Sequence, residues 1–61
     1  MDHTEFKKLR QALGYTQQAL AAYWGINART IRKWESGERP VNPIAAWGIK
    51  TMFKLGMKET K

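Results

Sequence analysis

The chain contains no cysteine. That excludes a disulfide framework and a thiolate metal site. Its one histidine, His3, stands two places from the start and cannot build a metal site alone. Acidic residues are few, five Asp and Glu against eleven Lys and Arg, and they are scattered along charged segments. No nucleophile–base pair and no metal-ligand spacing emerges from them, so an enzyme is not expected, nor are catalytic residues, a metal or a cofactor. No apolar run approaches the ~20 residues of a membrane span, and the opening MDHTEFKKLR lacks the apolar core of a signal peptide. These absences predict a cytoplasmic protein with no membrane partner. With 61 residues the expectation is one small domain with a thin core, since a chain of this size buries only about 60% of the surface its unfolded form exposes.

What is present is positive charge. The formal net charge is +6, a balance that suits a polyanion and also serves plain solubility. The arrangement of the cations along the chain decides between the two.

Asp2 followed by Glu5 has the spacing of a capping box, and Phe6, Leu9 and Leu13 recur at helical intervals until Gly14. A first helix is predicted over roughly 3 to 13. Thr16 is a good N-cap for QQALAAYW, a second helix with Leu20, Ala21 and Trp24 on one side and Gly25 at its end. Asn27 can cap a third helix, ARTIRKWES, which stops at Gly37. After the polar stretch GERPV, Asn42 and Pro43 form a cap and first-turn pair for a fourth helix over 43–56. No segment reads as a strand, repeat or internal linker, and MKETK, residues 57–61, reads as a fraying tail.

The third helix separates its charges from its anchors. Wound from Ala28 at 100° per residue, Arg32 falls at roughly 40°, Ser36 at 80°, Arg29 at 100° and Lys33 at 140°, with Trp34 at 240° and Ile31 at 300°. One face can be buried while the other offers guanidinium and ammonium groups to something negative. The fourth helix behaves differently. Its apolar and small positions spread around most of the circumference, leaving only a strip with Lys50 and Lys54 charged. One side must cover the other helices, and the remainder is wide enough for a subunit interface, to which we assign Trp47, Ile49, Met52 and Phe53.

The segment LGYTQQALAAYWGINARTIRKWESGERPV resembles the helix-turn-helix of phage Cro and repressor proteins and of small bacterial regulators similar to them. The resemblance covers roughly residues 5 to 48. Its features are Thr16 and Gln17 opening the second helix, small Ala21 at the helix crossing, Gly25 in the turn, Ile26, Ile31 and Trp34 at core positions, and WESG closing the third helix. It implies a compact, all-α, lambda-repressor-like domain of four to five helices over residues 1–56, with the helix-turn-helix unit at 16–37. Arg10 and Glu35 match positions where the family often places an ion pair, and Arg10 is therefore assigned to architecture.

The resemblance also implies a mode of action. The third helix would enter the major groove of double-stranded DNA while the second lies across the backbone. Base contacts are then expected from Ala28, Arg29, Arg32 and Lys33. Arg29 is the first choice, because its planar fork can meet guanine O6 and N7; a phosphate contact is the alternative. For Arg32 and Lys33, base and phosphate contacts both stay open. Ala28 could meet a thymine methyl or merely favour the helix. Backbone contacts are expected from Thr16, Gln17 and Gln18 at the start of the second helix, from Asn27 and Ser36, whose first duty is capping or termination, and from Arg39 in the following loop. Lys7 and Lys8 read better as a solvated face, and Tyr15 and Tyr23 as boundary aromatics.

A domain of this kind without room for an effector pocket acts most simply by occlusion. The resemblance therefore implies a transcriptional repressor, binding a palindromic operator as a homodimer through the fourth helix. Small family members include Cro-like regulators, antitoxins that repress their own operons, and repressors accompanying anti-CRISPR genes. From another class comes an interaction module that holds a partner protein on the same apolar helix. RNA is the weaker rival, because the narrow groove of A-form RNA excludes a recognition helix.

Overall fold

Four polar N-caps set the starts of four helices in the computed structural model, which describes residues 1–59. Helix α1 spans His3–Ala12, α2 Gln17–Trp24, α3 Ala28–Ser36 and α4 Pro43–Lys54, and no strand occurs among the described residues. Thr16 Oγ1 accepts from the Ala19 N–H at 2.9 Å, Asn27 Oδ1 from Arg29 at 2.8 Å and Asn42 Oδ1 from Ile44 at 2.8 Å. Each cap satisfies an amide that the helix leaves without a partner, a contribution of about 1 kcal/mol. Asp2 accepts from Thr4 rather than from Glu5, at 3.3 Å, so its side chain caps one residue earlier than the capping-box pattern.

The ends are equally local. Gly25 closes α2 at φ 72° and Gly37 closes α3 at φ 83°, left-handed conformations that strain any residue with a Cβ. Helix α4 stops two residues short of the expected end at 56, with Leu55 as its C-cap. The segment after it is held: the Met57 N–H donates to the Met52 carbonyl at 2.9 Å and the Glu59 N–H to the Leu13 carbonyl at 3.0 Å. Of the expected tail, Thr60 and Lys61 lie outside the described residues.

Helices α2 and α3 pack on each other, and α1 packs on both α3 and α4. Phe6, Leu13, Leu20, Ile31 and Ile49 are fully enclosed at the centre, where burial of each contributes roughly 1.5–3 kcal/mol. Phe6 meets Trp24 and Trp34 edge-on, with ring centroids 6.2 and 5.7 Å apart. Such pairs add about 0.5–1.5 kcal/mol beyond area. Val41, in the loop before α4, also closes the core.

Two expectations are corrected. Ile49 and Met52, assigned to a subunit interface, are 0% and 4% exposed within the single chain. With Ala45 they form the inward side of α4, so they hold α4 onto its own domain and offer nothing to a second chain. Ile26, expected in the core, is 38% exposed. It follows the left-handed Gly25 directly, and the turn leaves it at the surface.

Candidate nucleic-acid interface

Ile31 and Trp34 fasten one side of α3 to the core. On the other side Arg29, Arg32 and Ser36 are exposed, Lys33 and Ala28 are half-buried, and Ala28 packs against the core cluster. The segregation expected from the sequence is thus realised, with Arg29 and Arg32 the two exposed cations of the helix. The Arg29 backbone N–H is held by Asn27, which fixes where the helix begins while the guanidinium stays in solvent.

Glu35 would weaken this face if its carboxylate were free. Instead it lies against Arg10: Nε donates to Oε2 at 2.6 Å and Nη2 to Oε1 at 3.0 Å. The Arg10 Nη1 donates to the Tyr15 carbonyl at 2.7 Å, and Gln17 Nε2 donates to Glu35 Oε1 at 3.0 Å. The side chains of Arg10 and Glu35 are only 9% and 4% exposed. This bidentate pair removes the one negative charge of α3 from the surface. It also ties α1, the loop before α2, the first turn of α2 and α3 to a single point, beside the direct packing of α2 on α3.

Gln17 therefore has a different side-chain partner from the one expected. Its amide is committed to Glu35, and what α2 offers an anion at its start is backbone N–H and the exposed Gln18. Thr16 and Asn27 carry their cap bonds and remain exposed. Ser36 works locally: Oγ donates to the Lys33 carbonyl at 3.1 Å and accepts from the Glu38 N–H at 3.3 Å. Arg39 is exposed, and its N–H donates to the Lys33 carbonyl at 3.3 Å, which holds the loop against the end of α3.

Tyr15 and Tyr23 form a tilted pair with centroids 5.9 Å apart. The Tyr15 phenol is pushed above its ordinary range by desolvation first, then by Tyr23 and Glu59, so it stays neutral beside any polyanion. Sequence reasoning missed the Tyr15 carbonyl as the third partner of Arg10; a backbone acceptor leaves no sequence signal. Among the described residues no group of three or more His, Asp and Glu could hold a metal, and no helix is long and apolar enough to cross a membrane.

A capped helix, a left-handed glycine turn and a second helix whose free face is cationic define the class: a helix-turn-helix domain. A family model for the helix-turn-helix matches residues 6–55, and the chain belongs to that family, the Cro/C1 type. No curated protein and no solved structure matches the chain. Membership makes it a DNA-binding regulator in the general sense, in a family that is not one of enzymes.

Proposed function

We propose that the chain is a sequence-specific repressor that lays α3 in the major groove of a palindromic operator and occludes it from polymerase. The observation that carries this reading is the face of α3, where Arg29 and Arg32 stand exposed and Glu35 is neutralised by Arg10. Arg29, Arg32, Lys33 and Ala28 read base edges, with the half-buried Ala28 confined to a methyl contact at the base of the helix. Gln18, the start of α2 at Thr16 and Gln17, Asn27, Ser36 and Arg39 hold phosphates on either side.

The test is selection of bound fragments from random duplex DNA, followed by titration of the selected and scrambled duplexes at ~150 mM salt. A preference of ~10³-fold or more is expected. Equal affinity for every duplex would reduce the protein to a nonspecific cation.

Two chains bind each operator on this reading, paired through the exposed part of α4. Ile44, Trp47, Phe53 and Leu55 are 78%, 69%, 51% and 67% exposed, an unusual outlay of apolar surface for so small a core. The expected mass of the operator complex contains two copies, and a stable one-to-one complex on the full site removes the dimer. The same exposure supports an interaction module for another protein, and self-association of the isolated chain separates the two.

A further inference from the structure

A cleft of about 480 Å³ opens beside the recognition unit. Trp24 walls it from α2, Ile26 from the turn, Trp34 from α3, and Ile44, Trp47 and Gly48 from α4. We propose that a second copy of the chain docks in this cleft, the Trp47 of each copy entering the cleft of the other about a two-fold axis. This rests on the dimer reading above and specifies which part of α4 makes the pair.

Self-complementarity is the first argument. A two-fold interface uses one patch twice, so a projecting group and its receptacle must sit side by side. Trp47, 69% exposed, stands at the lip of the cleft. Around the α4 axis, Trp47, Thr51, Ile44, Leu55 and Gly48 fall within about 100° of one another and form a continuous strip. Thr51 does not interrupt it, because its hydroxyl donates to the Trp47 carbonyl at 2.8 Å and turns its polar atom to its own helix.

Area is the second. The exposed parts of Ile44, Trp47, Leu55 and Ile26 amount to roughly 500 Å² per copy, so a symmetric pair covers at most about 1,000 Å² from them, the floor for a specific interface. An interface at this low end is expected to be a reversible one.

Charge decides which side of α4 is used. Lys50 and Lys54 lie between Phe53 and Trp47 around the helix, and no carboxylate occurs anywhere in α4. Pairing two copies across a patch spanning Trp47 and Phe53 presses lysines against lysines. Pairing through the Trp47, Ile44 and Leu55 strip leaves them at one rim, in water, where salt screens their repulsion. The two associations then respond to salt in opposite senses: DNA binding weakens as salt rises, and the dimer tightens.

Sedimentation equilibrium of the full chain without DNA, from ~5 to ~500 μM at low and high salt, tests this, with circular dichroism confirming the fold of each variant. The wild type is expected to dimerise and to tighten several-fold between ~50 and ~500 mM salt. Trp47→Ala should weaken the pair by ~30-fold or more, as loss of a central tryptophan does, and Ile44→Ser should act in the same direction. Phe53→Ala should change it by less than ~3-fold. A wild type that stays monomeric throughout overturns the proposal and gives the strip to another protein. So does a dimer broken by Phe53→Ala and indifferent to Trp47→Ala. Failure of the DNA reading shows elsewhere, as equal affinity for all duplexes, and leaves a Trp47-dependent dimer standing.

Discussion

Glu35→Ala is expected to unfold the domain at room temperature. Removing one member of a buried ion pair costs about 3–5 kcal/mol, because the partner keeps its charge and loses its compensation. A single core of this size rarely supplies more than ~3–5 kcal/mol in total. In the variant the Arg10 guanidinium, in a side chain 9% exposed, keeps only the Tyr15 carbonyl, and Gln17 loses its acceptor. Arg10→Ala should fail to a similar degree, stranding the Glu35 carboxylate with Gln17 alone. The double variant Arg10→Met with Glu35→Leu should recover most of the loss, since apolar groups of similar volume often replace a buried pair without penalty. Urea denaturation followed by circular dichroism measures all three. If Glu35→Ala stays within ~1 kcal/mol of wild type, the pair is ornamental and the relative setting of α2 and α3 comes from packing alone. The double variant, if folded, also separates stability from function. With no salt bridge to set α2 against α3, it should bind selected DNA more weakly than its stability accounts for.

The boundaries of α2 and α3 were legible because every signal that makes them is local. Thr16, Asn27, Gly25 and Gly37 act on amides and carbonyls within a few residues of themselves, so their identity in the chain is enough. The split face of α3 was legible for a related reason: two large apolar residues opposite three cations admit one orientation. Helix α4 gave no such choice. Apolar residues surround most of it, and which side turns inward depends on where α1 lies, a fact written nowhere in residues 43–54. That is why the sequence pattern points Ile49 and Met52 outward although they are enclosed, while Ile44 and Leu55 carry much of the exposed surface. The side-chain partner of Gln17 is not legible in the sequence for another reason. A polar side chain opening a helix suits a phosphate, and only the folded arrangement brings the Glu35 carboxylate within 3.0 Å of it across 18 positions of sequence. The cleft is the same kind of property, since its walls come from three helices and from an Ile26 that sequence placed in the core.

On the proposed reading Arg29→Ala and Arg39→Ala both weaken binding, and they do so differently. Arg29 leaves the first turn of α3 from a backbone fixed by Asn27, with its side chain in solvent. Losing a bidentate contact to guanine should cost ~1–3 kcal/mol on the selected operator, roughly 5- to 150-fold, and relax the preference at one base pair in each half-site. Arg39 leaves the loop beyond the C-terminal end of α3, held there by the bond from its N–H to the Lys33 carbonyl. The proposed reading gives it a phosphate from that place. Arg39→Ala should weaken binding to all duplexes alike and flatten the plot of log affinity against log salt by about 0.9 per lost contact. Both side chains are exposed, so the fold should survive each change within ~0.5 kcal/mol. Titrating both variants on selected and scrambled duplexes over a salt series checks the division. If Arg29→Ala leaves base preference intact and lowers only the salt slope, Arg29 is the phosphate contact. Base reading then passes to Arg32, the other exposed cation of α3, or to the half-buried Lys33 and Ala28.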